Sequence, residues 1–124
     1  MSNGKLEEFG AYQKALELFD MVIHDISRFL RNQRLDRLVS QQLASADSIC
    51  SNIEESYGRE SSAEYRRFLI IARGSLRETL GRYKRLRHWL PEEVIKERVN
   101  LAEEINKILS STIKRLNDRR QLKT

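Results

Sequence analysis

The chain has 124 residues, 33% of them charged and 40% hydrophobic, with one proline, five glycines and one cysteine. That length supports one hydrophobic core, and so few turn-forming residues argue against a sandwich or a barrel. A single cysteine excludes an intrachain disulfide, no apolar run approaches the ~20 residues of a bilayer span, and the N-terminus lacks a signal-peptide core, so the expectation is a soluble cytoplasmic protein without membrane contact.

The polar stretch before Phe9 is expected to fray. A helix is predicted over residues 10–31. Ala15, Phe19, Val22, Ile26 and Phe29 recur at helical spacing, Leu16, Ile23 and Leu30 widen the stripe, and Asp20, His24, Asp25 and Arg28 fall mostly outside it. Arg31 to Arg34 breaks the pattern as a short connection. A second helix is predicted over 35–57 from Leu35, Leu38 or Val39, Ala46, Ile49 and Ile53. Cys50 falls in its apolar register, where a thiol is buried and inert. Gly58 suits the left-handed residue that closes a helix. Ser61 and Glu64 have capping-box spacing and open a third helix over 62–89, with Tyr65, Phe68, Leu69, Ala72, Leu76, Thr79, Leu80, Tyr83, Leu86 and Leu90 inward.

Pro91 begins a fourth helix over 91–117, with Glu92 and Glu93 at the positive end of its dipole. Ile95, Ala102, Leu109 and Leu116 repeat every seven residues, joined by Val94, Ile105, Ile108 and Ile113. The basic tail from Asn117 is expected to be loose. Short connections make successive helices antiparallel, so residues 1–124 are read as one all-α domain, an up-and-down four-helix bundle.

No catalytic constellation is legible. His24 and His88 are the only histidines, no His-x3-His or Cys-x2-Cys spacing exists, and no acid precedes either histidine by three residues as di-iron bundles require. No glycine-rich phosphate loop is present. The expectation is a protein with no enzymatic activity, no cofactor and no metal.

Charge is unevenly placed. Residues 1–58 carry a net −3, residues 59–90 a net +6 and residues 91–124 a net +2. With Arg66 at zero on a helical wheel, Arg73, Arg77, Lys84 and His88 all fall within about 40° of it, beside an apolar arc centred near −105°. Three readings of this stripe stand: a solvated face partly neutralised by neighbouring acids, a track for the phosphates of RNA or DNA, or a dock for an acidic protein. Tyr65 and Tyr83 point into the core register, so stacking of single-stranded bases finds no support there. Ile70 and Ile71 lie off the core arc beside Gly74 and Ser75, as in a contact between subunits. A glycine in mid-helix costs ~1 kcal/mol against alanine, which close approach of another helix would explain.

The stretch Gln42-Leu43-x-x-Ala46-x-Ser48-Ile49-x-x-Asn52-Ile53-x-Glu55, then Gly58-Arg59, then Phe68-Leu69-x-x-Ala72-x-Gly74-Ser75-Leu76-x-Glu78, resembles the four-helix-bundle family named for the protein encoded in the intervening sequence of large-subunit ribosomal RNA genes. The resemblance runs from about Phe9 to Leu90. It implies a bacterial bundle that assembles as a ring-like homopentamer with a basic surface. Relatives include the accessory variability protein of diversity-generating retroelements, similar in fold, which binds a reverse transcriptase and nucleic acid. This chain departs at Glu54 and Ser56, where the family usually has Ala and Gly, at Ser45 in place of a common arginine, and at Phe29-Leu30 in place of Phe-Pro. Asn52 and Glu55 are read as structural, Asn52 holding the loop to the third helix and Glu55 pairing Arg59, with a ligand or partner site as the alternative.

These observations lead to the expectation of a non-catalytic, oligomeric, nucleic-acid-binding accessory protein. Arg66, Arg73, Arg77, Lys84 and His88 would contact phosphates of RNA, DNA or a protein–RNA complex, with a reverse transcriptase as a partner that the resemblance adds. The alternative is a protein-interaction scaffold with no direct nucleic-acid binding.

Overall fold

The computed structural model describes residues 3–29 and 31–123. Four helices carry the fold: α1 (Gly10–Ile26), α2 (Asp36–Tyr57), α3 (Ser62–Arg85) and α4 (Glu92–Lys123). Each packs on its two neighbours, α1 on α2, α2 on α3, α3 on α4 and α4 back on α1. The pairings run in opposite directions. Gln42, Ser45 and Ser48 of α2 meet Arg82, Thr79 and Ser75 of α3 in turn, so the all-α, up-and-down antiparallel bundle is the observed architecture. Leu18, Val22, Ile49, Ile53, Leu69, Leu76, Ile105 and Leu109 are fully buried at its centre. No helix among the described residues is long and apolar enough to cross a membrane.

The helix ends follow local chemistry. α1 stops five residues before the predicted limit because the Ser27 hydroxyl takes the His24 carbonyl at 2.7 Å and the chain tightens into a 3-10 turn over Ser27–Phe29. The side chain of Asn32 accepts from the Arg34 amide and starts a second 3-10 turn leading into α2. Gly58 closes α2 with φ −88° and ψ 0°, a right-handed conformation and not the left-handed one expected. Ser61 caps α3 by accepting the Glu64 amide at 3.1 Å. The Pro91 carbonyl accepts the Ile95 amide and so begins the α4 ladder. At the two chain ends order exceeds expectation. Asn3–Glu8 forms a 3-10 turn, and α4 continues past Asn117 to Lys123. Leu30, one of the predicted stripe residues, lies outside the described residues.

The buried face of α1 is rotated from the predicted one. Ala11, Ala15, Leu18, Val22, Asp25, Ile26 and Phe29 are inside, while Leu16 and Ile23 are 41% and 42% exposed. The reason is Asp25, which a hydropathy pattern assigns to solvent. Its carboxylate is buried between three helices. It accepts the Tyr83 hydroxyl of α3 at 2.6 Å and the Arg98 guanidinium of α4 through two bonds, at 2.9 and 3.0 Å. The same bond to Asp25 holds the Arg98 guanidinium firmly protonated, and burial followed by that carboxylate pushes the Tyr83 phenol up. All three partners are saturated or nearly so, which is the condition under which a buried charge is tolerated.

Asp25→Asn should therefore lower unfolding stability by about 3–5 kcal/mol in urea denaturation, because it leaves Arg98 buried without its counter-charge. The combined change Asp25→Leu, Tyr83→Phe and Arg98→Met should recover most of that loss. Cys50 offers a second check. Burial, helped by Glu54, pushes its thiol up to about 12. The neutral thiol is the form the fold favours, so its contribution to stability is full below the ordinary thiol range and lost as pH rises towards about 12. A thiol reagent near neutral pH should label Cys50 only at the rate of unfolding.

Candidate nucleic-acid interface

Four basic residues of α3, Arg66, Arg73, Arg77 and Lys84, share one edge of the helix, and Arg73 meets α4 there. Arg73 is half-buried at the contact with α4, Arg66 is half-buried seven residues before it on the same edge of α3, and Arg77 and Lys84 are exposed. Arg73 donates to the Ser110 hydroxyl of α4 at 3.1 Å, which fixes where the seam runs. Arg77 borders a small cleft of about 150 Å³ with Leu76, Leu80, Ala102, Glu103 and Asn106. Lys84 borders a larger one of about 670 Å³ with Arg87, His88, Leu90, Glu92 and Ile95. His88 is exposed but leaves the predicted line: α3 ends at Arg85, and His88 sits on a 3-10 turn over Leu86–His88, whose tighter pitch shifts it round.

The electrostatic state of the seam follows from the ion pairs the fold does form. Among the described residues these are Arg98 with Asp25 and Glu97, Arg59 with Glu55, and Lys14 with Glu104. Arg66, Arg73, Arg77, Lys84 and His88 take part in none. Of the three readings of the stripe, neutralisation by the protein's own carboxylates finds no ion pair here. α4 adds to the positive side. Lys107 and Lys114 are exposed, three residues before and four after Ser110, and so occupy neighbouring positions on that helix. A reading confined to α3 misses them, because only the Arg73–Ser110 bond shows that these two helix edges meet. Glu103 is the one acid beside the Arg77 cleft.

The motif residues lie elsewhere, on the α2–α3 contact. The Gln42 amide donates to the Thr79 carbonyl at 3.1 Å, and its oxygen accepts from Arg82 at 2.9 Å. Ser48 and Ser75 share a bond of 2.8 Å. Asn52 does not reach the loop to α3 as expected. Its amide turns back along α2 to the carbonyl and hydroxyl of Ser48, because both acceptors stand one helical turn before it on the same face. Glu55 pairs with Arg59, whose guanidinium stands 4.5 Å over the Phe68 ring. Glu78 is exposed beside Arg82. The residues at which the chain departs from the usual pattern also find partners. Ser45 bonds Thr79 and Arg82, Glu54 accepts the Tyr12 hydroxyl, and Ser56 caps the Ile53 carbonyl from a fully buried position.

Arg82 is the unusual member of this contact. It is buried, and burial first, then Arg85, pulls its guanidinium below the ordinary arginine range while Glu78 opposes them. Its Nη1 is held by three oxygens of α2, from Gln41, Gln42 and Ser45. Neutral dipoles thus replace a carboxylate as its solvent.

Ile70 packs partly against the core, whereas Ile71 is exposed. A methyl group at Gly74 would meet nothing within 4 Å, and α3 runs through this point as one helix, so no element of the same chain explains the glycine. The remaining large exposed apolar residue is Trp89, which a pattern search passes over because it lies in a turn. Among the described residues no cluster of three or more His, Cys, Asp or Glu side chains is placed to hold a metal ion.

A four-helix bundle with a basic edge where α3 meets α4 belongs to the class of small all-α bundle proteins. The chain is a member of the 23S rRNA-intervening sequence protein family, whose sequence profile matches residues 7–111. It is similar to a crystal structure of a protein with unknown function from the S23 ribosomal protein family of Bacteroides thetaiotaomicron VPI-5482. The two share 28% sequence identity with a TM-score of 0.78, over 84% of this chain and 98% of that one. No curated protein matches the chain.

Gln42→Leu separates structural from ligand-binding duty on α2. It strips Arg82 of one acceptor and the Thr79 carbonyl of its donor, and should cost about 1–3 kcal/mol in urea denaturation. Polyanion binding by the folded fraction should stay unchanged.

Proposed function

We propose that this protein is a non-catalytic accessory factor that binds RNA, or a protein–RNA complex, through phosphate contacts along the α3–α4 seam. The observation that carries the reading is the set of arginines and lysines on that seam that pair with no carboxylate among the described residues. Arginine supplies forked donors that match phosphate oxygens, and rows on two adjacent helix edges give a track and not a point. Contacts of this kind position a nucleic acid by its backbone and shape and carry no base code. The family description, which concerns an rRNA intervening sequence, agrees with such a partner.

Self-association belongs to the same proposal. The resemblance implies a homopentamer, and Leu16, Ile23 and Ile71, with the open surface at Gly74, supply apolar contact area. The accessory variability proteins extend it to a complex with a reverse transcriptase. The competing reading, a scaffold for an acidic protein, draws on the same cations, and a partner retained after nuclease treatment would favour it.

Filter retention of a structured RNA across a salt series tests the proposal. Affinity should fall linearly on a log–log scale, and each phosphate contact removed should flatten the slope by about 0.7–0.9. Arg77→Glu and Lys107→Glu should weaken binding and flatten the slope, as both residues are exposed and make no hydrogen bond that folding needs. Absence of binding at low salt would overturn it.

A further inference from the structure

The corner between α3 and α4 holds a combination found nowhere else among the described residues, a large exposed aromatic ring beside unpaired cations. Trp89 is 45% exposed, although tryptophan is among the most heavily buried residue types on average. Its position is built and not frayed. The Trp89 and Leu90 amides both donate to the Leu86 carbonyl, at 2.9 and 3.0 Å, and Leu86 and Leu90 are buried on either side. The His88 ring stands edge-on to the indole with centroids 5.6 Å apart. Arg87 folds back to donate to the Lys84 carbonyl at 3.1 Å, which keeps its guanidinium at the end of α3.

Next to this turn lies the cleft of about 670 Å³ walled by Lys84, Arg87, His88, Leu90, Glu92 and Ile95. The cleft borders the indole and does not enclose it, since Trp89 is not among its lining residues. One wall is cationic and the floor includes the apolar Leu90 and Ile95. Glu92 is the single carboxylate and repels phosphate from its own side. Lys84 belongs both to this cleft and to the α3 row, so the two surfaces are continuous.

We propose that the α3–α4 corner is a subsite for an unpaired nucleotide of RNA or DNA, whose phosphate meets Lys84 and Arg87 while a base stacks on the exposed indole of Trp89. This rests on the nucleic-acid reading above and adds a substrate class to it, a helical segment that ends in, or is interrupted by, unpaired residues. The seam tracks the phosphates of the helical part and the corner takes the splayed base. Stacking is sequence-tolerant, since every base has a π-face, so the subsite distinguishes paired from unpaired and not one base from another.

Trp89 is the only tryptophan of the chain, so fluorescence excited at the red edge of the absorption, beyond that of the four tyrosines, reports this site alone. The experiment titrates the full-length protein with an RNA hairpin bearing an unpaired tail at either end, with the same hairpin blunt, and with the DNA counterparts. Tailed hairpins should quench Trp89 and bind about tenfold more tightly than blunt ones, a typical stacking increment. The RNA and DNA arms show which sugar the subsite accepts. With labelled hairpins and anisotropy detection, Trp89→Ala should erase the preference for a tail, and Trp89→Phe should keep most of it. Equal binding of tailed and blunt forms, unchanged fluorescence, or a preference that survives Trp89→Ala would overturn the subsite while leaving the seam standing. Absence of binding by every hairpin at low salt would overturn both.

Discussion

The carboxylate of Asp25 ties α1, α3 and α4 together at one end of the bundle. It is the single counter-charge for Arg98 below the surface and the acceptor for the Tyr83 hydroxyl. Apolar packing alone would let these helices slide and rotate against each other at small cost. A bidentate ion pair plus a phenol bond admits one arrangement, since any other leaves a charge stranded in a medium that solvates it poorly. Tyr83 lies on α3 one residue before Lys84, and Arg98 lies on α4 three residues beyond Ile95. The same contact that locks the interior therefore sets the separation of the helices that carry the seam and wall the corner cleft.

A second polar device fixes the register of α2 against α3. Gln42, Ser45 and Ser48 recur at spacings of three on α2, and Arg82, Thr79 and Ser75 answer them on α3. Slippage by one helical turn would separate several buried donors from their acceptors at once, each at a cost of about 1–3 kcal/mol. Arg82 makes the arrangement stringent, because the three oxygens that hold its buried guanidinium are placed by this register. The basic residues of the chain thus divide by chemistry. Arg98 and Arg82 are consumed by the interior, and Arg66, Arg73, Arg77 and Lys84 stay without a carboxylate on the α3–α4 side.

The architecture was legible because each helix has an apolar repeat long enough to outweigh local exceptions, and because Ser61 and Pro91 mark two of the helix starts. What escaped were interactions in which a polar residue occupies an inward position. Asp25, Arg82 and Arg98 look like solvated charge in a hydropathy pattern, and their burial depends on partners 37 to 73 residues away. For the same reason an apolar stripe on α1 that leaves out Asp25 turns Leu16 and Ile23 inward, whereas both are exposed. The basic row on α3 could be placed from helical periodicity alone up to Arg85, after which a tighter turn moves His88 off it. The contribution of Lys107 and Lys114 needed the pairing of α3 with α4, and Trp89 needed the turn that holds it outward.

Binding of a polyanion depends on which arginines are free to meet it. Arginine side-chain Nε–H signals followed by NMR during titration with a hairpin RNA answer this residue by residue. Signals of Arg73 and Arg77 should move in step with binding while those of Arg82 and Arg98, held inside the bundle, stay in place. Seam signals that do not move while the RNA binds, or shifts confined to arginines on other faces of the bundle, would contradict it.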